Sequence, residues 1–210
     1  MMLAKLCTPF RALTRSFHAE LERALAGCKK ILDVGCGSDS PIKHVHRRFF
    51  AIGVDAYKPS IEKSKQKKIH SKYHILDIRD IGKKFPRESF DCVIALDVIE
   101  HLSKKEGLKL LDTMERISKK KTIVFTPNGF LPQPPAENPW QEHKSGWNVD
   151  EMRKKGYHII GVNGWKPLRK EFAEIRFRPT LVWKTISDLT QLYVRNKPEK
   201  AFQLLCIKVK

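Results

Sequence analysis

Ile31-Leu32-Asp33-Val34-Gly35-Cys36-Gly37-Ser38-Asp39-Ser40-Pro41 is the stretch whose reading decides the fold. An apolar run carrying an acid ends in two glycines that flank one small residue, and polar helix-starting residues follow. Without Cβ atoms at Gly35 and Gly37 the backbone can turn sharply and come close to a ligand. A strand feeding a helix through such a turn places that ligand at the carboxyl edge of a parallel sheet. An ordinary strand-to-helix turn would look the same over this stretch alone, so the flanking sequence has to decide.

Moving outward, Phe49–Asp55, Tyr73–Ile78, Phe90–Asp97 and Thr122–Asn128 read as four more buried strands, three of them closing on an acid: Asp55, Asp77 and Asp97. Between them, residues 59–69 read as a solvated helix opened by Pro59. Residues 105–118 read as a helix that buries Leu108, Leu111, Met114 and Ile117 at a spacing of three to four. Strands alternating with helices at this rhythm predict βαβ units and a parallel sheet. Residues 129–149 lose all periodicity and are rich in Pro, Gly and Trp; a loop of that length in a compact domain is usually functional, here a lid. The rhythm resumes with a helix at 149–155 and a strand at 158–162. A helix near 181–194 follows, marked by Val182, Ile186, Leu189 and Tyr193, and a strand at 202–209 ends the chain. Upstream, Phe10, Leu13, Phe17, Leu21 and Leu25 recur at helical spacing, so residues 1–28 are expected to form a helix covering the sheet rather than a targeting peptide. The whole chain, 1–210, is expected to be one domain, with 166–200 a helical insertion before the last strand.

Composition sets the class. At 41% hydrophobic and 30% charged, the 210 residues describe a globular chain with a sizeable core and no run long enough to span a bilayer. Five scattered cysteines without a CxxC pair argue against a disulfide framework or a cysteine zinc site, and fit a reducing, cytoplasmic compartment. The formal charge is +18, and residues 151–210 carry fourteen Lys/Arg against five acids. A flank so basic points to a polyanion, either nucleic acid or an anionic membrane, or to solubility alone.

Four features fall in order: Asp33-x-Gly35-x-Gly37 after strand one, Asp55 ending strand two, Asp77 ending strand three, and Asp97-Val98-Ile99-Glu100-His101-Leu102 after strand four. This order resembles the class I S-adenosylmethionine-dependent methyltransferases, in particular their ubiquinone-type branch, over roughly residues 25–165. The resemblance implies an α/β, doubly wound, mostly parallel seven-stranded sheet with an antiparallel last strand. It implies S-adenosyl-L-methionine as cofactor, with Asp55 and the neighbouring Ala56 at the ribose hydroxyls and Asp77 at the adenine amine. The Ile78 amide would meet a ring nitrogen, and Gly35, Cys36 and Gly37 the amino-acid part. Asp33 would order the turn and help hold the cofactor's ammonium, and Asp97 would border the same site. A third glycine common in the family is replaced by Asp39. Glycine is also missing at Ser40, where a nicotinamide fold would want it.

With a sulfonium already activated, the protein has to align the nucleophile and exclude water. His101 is the natural general base, with an ordinary pKa near ~6.5, and Glu100 stands beside it. Asp97, Glu100 and His101 at i, i+3 and i+4 would share one face of a helical turn. Together with His143 in the lid they are similar to the metal-site pattern of the small-RNA 2′-O-methyltransferases, although glutamate is the first ligand there. Trp140, Trp147 and Trp165 either stack on a planar ligand or anchor the lid to the core. The acceptor expected from these residues is a small molecule or a lipid-like compound. An RNA acceptor and a non-catalytic cofactor-binding module are the alternatives.

Overall fold

The computed structural model describes residues 17–133, 138–170 and 173–210; Phe10 and Leu13 of the N-terminal stripe lie outside them. The first helix described, α1 (Phe17–Ala24), turns Phe17, Leu21 and Ala24 inward. β1 (Lys30–Val34) then pairs in parallel with β2 (Phe50–Asp55) on one side and β4 (Phe90–Leu96) on the other. β3 (Lys72–Ile75) extends the sheet beyond β2, and β5 (Ser118–Pro127) extends it beyond β4. β7 (Ala201–Val209) runs antiparallel to β5, and β6 (His158–Trp165) closes the edge antiparallel to β7. The order of the seven strands is β3-β2-β1-β4-β5-β7-β6, the doubly wound arrangement with an antiparallel last strand. Successive connections leave β1 and β4 in opposite directions, and a ligand crevice forms at such a switch point. Gly35 and Asp97 sit there, directly after the two strands.

Alternation along the strands divides the core in two. Leu32, Val34, Val93 and Ala95 pack with α4 (Lys104–Ile117) on one face, whereas Ile31, Cys92, Ile94 and Leu96 pack with α1 on the other. Ser103 and Glu106 cap α4 reciprocally. Its buried side is Gly107, Leu110, Leu111, Met114 and Ile117. Leu108, expected inside, is instead exposed, because the stripe is centred on Leu111 and Leu108 falls off its edge. Gly107 lets the helix sit down on Trp147: a Cβ there would lie 2.4 Å from the indole Cζ2.

Other boundaries shift for local reasons. β3 stops at Ile75, so Asp77 caps a 3-10 turn (Ile78–Asp80) rather than ending a strand. β5 starts at Ser118 and runs through the lysine run to pair with β7. α2 (Lys58–Gln66), α3 (Ile81–Lys84) and α5 (Val149–Lys154) complete the connections up to β6.

α6 (Thr180–Val194) lies against β6 with its polar side inward. Ser187, Gln191 and Val194 face the sheet, and Gln191 donates to Gly161 O at 2.8 Å and accepts from Gly164 N at 3.1 Å. Gly161 and Gly164 are why: a Cβ at either would lie within 2.5 Å of the α6 backbone, so the approach admits only small or hydrogen-bonding side chains. Val182, Ile186, Leu189 and Tyr193, the stripe that marked the helix, therefore point away from the protein. Arg195 at the helix end donates to buried Glu20 of α1 at 2.7 Å. Among the described residues, no helix is long and apolar enough to cross a membrane.

Candidate active site

The glycine turn is held from both sides. Gly35 and Gly37 take φ of +68° and +56°, a region costly for residues with a Cβ, and a Cβ at Gly35 would strike Val98 at 2.7 Å. Asp55, at the end of β2, accepts from Gly37 N at 2.9 Å and from Tyr57 N at 2.8 Å. Burial nonetheless pushes its carboxyl above the usual range, with those two amides opposing. Asp33 turns the other way. At 1% exposure it accepts from Ser40 Oγ at 2.6 Å and pairs with His70 Nε2 at 2.8 Å, ordering the turn from behind the cavity wall. His70, which nothing in the local pattern announces, also faces Ser64, and its backbone N–H donates to Tyr73 Oη. Cys36 is buried, and its thiol is raised by that burial and by the two nearby aspartates.

One crevice, about 60 Å³, brings together Gly35, Asp55, Ala56, Asp77, Ile78 and Asp97, with Asn138, Trp140 and Gln141 of the loop after β5 also lining it. Asp77 accepts from the Arg79 amide at 2.9 Å and from its guanidinium at 2.6 Å, which holds the carboxyl below its usual range. Arg79 also reaches Glu106 at 3.0 Å and lies 5.7 Å from the Trp140 ring centroid. The three tryptophans thus part company: Trp147 is buried and anchors the lid by donating to Ile99 O, Trp140 borders the crevice, and Trp165 lies half-exposed at the end of β6.

Beyond Asp97 lies a larger cavity of about 470 Å³, bordered by Asp97, Glu100, His101 and His143. The α-turn expected to align them is a 3-10 turn (Ile99–His101), and Asp97 precedes it with φ +54°. The lid is stitched to this turn, as the Lys144 and Ser145 amides both donate to Glu100 O. Each histidine presents Nδ1 to a carbonyl, His101 to Glu142 O at 3.2 Å and His143 to Leu131 O at 2.6 Å. A carbonyl only accepts, so Nδ1 of each ring carries a hydrogen and Nε2 is the nitrogen left to act as a ligand. One ligand atom each from Glu100, His101 and His143 lie within 4.8 Å of one another, about two metal–ligand bonds. Asp97, expected as a fourth ligand, is not in that group.

The electrostatics of the cluster are unusual for so basic a chain. Glu100 is buried; its Oε2 accepts from Thr126 Oγ1 at 3.0 Å, and its Oε1 has no donor among the described residues. Burial and the facing Asp97 raise its pKa well above the carboxylate range. The Asp97 surface opens to the cavity, but protein walls it round, and this enclosure pushes its carboxyl up to about 7 against a hydrogen bond from Gln203 Nε2 at 3.1 Å. His101, expected near its ordinary value, is instead lowered to about 4 by burial and by His143. No Lys or Arg lines this cavity among the described residues. Thr126 and Gln203 were missed in the sequence because they reach the site from the ends of β5 and β7, remote from the motifs they serve. The rule that strand carboxyl ends gather at one edge offers a signal for Thr126 only.

Residues 32–126 match the model of a methyltransferase domain family. No curated protein matches the chain by sequence. Among solved structures, an S-adenosylmethionine-dependent methyltransferase from Archaeoglobus fulgidus is similar at TM-score 0.54 and 18% identity, covering 96% of this chain and 98% of its own. The methyltransferase domain of bacterial CtHen1 is similar at TM-score 0.57 and 17% identity, covering 94% and 100%. Magnesium protoporphyrin IX methyltransferase from Synechocystis, with bound cofactor, is similar at 0.52 and 15%, covering 96% and 79%. At these identities the likeness is one of fold. The edge of the sheet fits the cofactor: a Cβ at Gly37 would meet nothing within 4 Å, and the turn opens onto about 630 Å³ next to Asp55. With the family match spanning the glycine turn and every acid-bearing strand end, residues 32–126 form a methyltransferase domain, and the whole sheet has the fold of the S-adenosylmethionine-dependent methyltransferases.

Proposed function

We propose that the chain methylates a hydroxyl of an uncharged small-molecule or lipid-like acceptor in the histidine-lined cavity, with Glu100, His101 and His143 holding a divalent cation. The observation that carries this reading is the cluster itself. Two imidazoles and a buried carboxylate oxygen without a donor converge where two carboxyl groups face each other, with no Lys or Arg lining the cavity among the described residues. A proton or a cation has to resolve that pair. Carboxylate with imidazole suits several divalent ions, and such an ion makes a bound hydroxyl more acidic. Among the described residues, an RNA acceptor finds no Lys or Arg in this cavity to meet its phosphates.

S-adenosylmethionine supplies an electrophilic methyl on sulfonium sulfur. The residues of this chain do the rest. Asp55 and Ala56 serve the ribose, Asp77 and the Ile78 amide the adenine, and Gly35, Cys36 and Gly37 the amino-acid end; Asp33 acts through the shape of the turn. With the cofactor bound, the acceptor oxygen would gain the bond to the methyl carbon as sulfur keeps the old bonding pair, and Asp97, whose enclosure favours its protonated form, would take the hydroxyl proton. Lowered to about 4, His101 is a weak base and serves better as a ligand or positioning group.

Labelled cofactor incubated with fractionated cell extract, with and without chelator, tests this. Transfer into the lipid or small-molecule fraction should stop with chelator and return with Mn²⁺ or Mg²⁺. Glu100→Gln and His143→Ala should lose that response while S-adenosylhomocysteine affinity holds. Transfer indifferent to chelation would remove the cation and return proton abstraction to the side chains alone.

A further inference from the structure

We propose that the outward face of α6 docks the enzyme on an anionic lipid surface, an interaction independent of which acceptor it methylates. At 3.6 residues per turn, Leu181, Val182, Ile186, Leu189, Leu192 and Tyr193 share an arc of about 140° broken only by Thr185. Their exposures run from 37% to 78%, so this helix shows water the side that most helices bury. Phe177, also exposed, packs tilted against Trp183 with ring centroids 4.9 Å apart and extends the face past the helix start.

Charge selects the occupant. The described acids of this segment are engaged: Glu174 with Lys170 at 3.2 Å, Asp188 with Lys184 at 2.7 Å, Glu199 with Arg153 at 2.7 Å. Arg176 and Arg178, exposed beside Phe177, have no acidic partner among the described residues. Lys197 extends along Tyr193 with its ammonium 5.1 Å from the ring centroid, a cation at the rim of an apolar surface. Two copies packed by this face would set one basic rim against another, whereas a negatively charged bilayer satisfies the apolar arc and the basic rim at once. The polar inner side of α6, fixed to β6 through Gln191, keeps the apolar arc turned outward.

The probe is co-flotation with phosphatidylcholine vesicles, with and without one third phosphatidylglycerol. The protein should float with the anionic vesicles, not the neutral ones, and release as salt is raised. Leu181→Ser, Leu189→Ser and Leu192→Ser together should lower partitioning at least about tenfold. Arg176→Ala and Arg178→Ala should each lower it roughly fivefold. S-adenosylhomocysteine affinity should be unchanged in every variant, which certifies the fold. Undiminished flotation of the leucine variant would show that overall charge alone binds. A wild-type dimer that the leucine variant dissolves, with no flotation, would assign the face to a second copy. Flotation that appears only after residues 1–16 are deleted would assign it to the chain's own N-terminus. Each of these three results overturns the proposal.

Discussion

The Asp55 carboxylate that braces the glycine turn is also the one proposed to meet the ribose, so its removal would be felt at the cofactor edge. It already braces Gly37 and Tyr57 by their amides, and ribose hydroxyls would fall to the same oxygens. Asp55→Ala is predicted to weaken S-adenosylhomocysteine binding by about 2–3 kcal/mol, read by calorimetry, because charge-assisted hydrogen bonds are lost and the turn loosens. An unchanged affinity would move ribose recognition elsewhere. The second prediction at this scale concerns pH. Burial and the facing Asp97 raise the Glu100 pKa, and a cation binds only the carboxylate, so ion affinity should rise with pH, by at most about tenfold per unit for each proton released. His101, lowered to about 4, is neutral well above that value and contributes none of the slope there. Calorimetry with Mn²⁺ in two buffers of different ionisation heat measures the released proton directly; affinity that falls as pH rises would contradict the assignment.

Elements were legible where the pattern is local. The glycine turn, the acid at the end of β2 and the βα rhythm follow from a few contiguous residues, and the strands formed close to where alternation put them. What misled was periodicity without its direction. The apolar stripe of residues 182–193 marks a helix but not which side meets the sheet, and two glycines on β6 reserve the inner side for Ser187 and Gln191. Leu108 shows the same limit in α4. Gly107 supplies a prediction that propensity alone gets backwards. Glycine to alanine inside a helix ordinarily gains up to about 1 kcal/mol. Here the new methyl would press into the buried Trp147 ring, so Gly107→Ala should instead destabilise by about 1–3 kcal/mol in urea denaturation. A gain in stability would mean that the lid's tryptophan yields readily.

Over the whole molecule, charge is sorted rather than spread. A chain with a formal charge of +18 lines the cavity beyond Asp97 with carboxyls and imidazoles, and among the described residues no lysine or arginine borders it. The composition could not reveal this, because Thr126, Gln203 and His143 reach Asp97, Glu100 and His101 from separate segments of the chain. The family and its cofactor could be read in advance; the chemistry next to the cofactor needed the folded chain. The direct measurement is anomalous diffraction from crystals grown with S-adenosylhomocysteine and Mn²⁺. The account predicts one manganese peak bonded to Glu100 Oε1 and to Nε2 of His101 and His143. A structure with the cofactor product fully bound and no anomalous peak among these three side chains would contradict it.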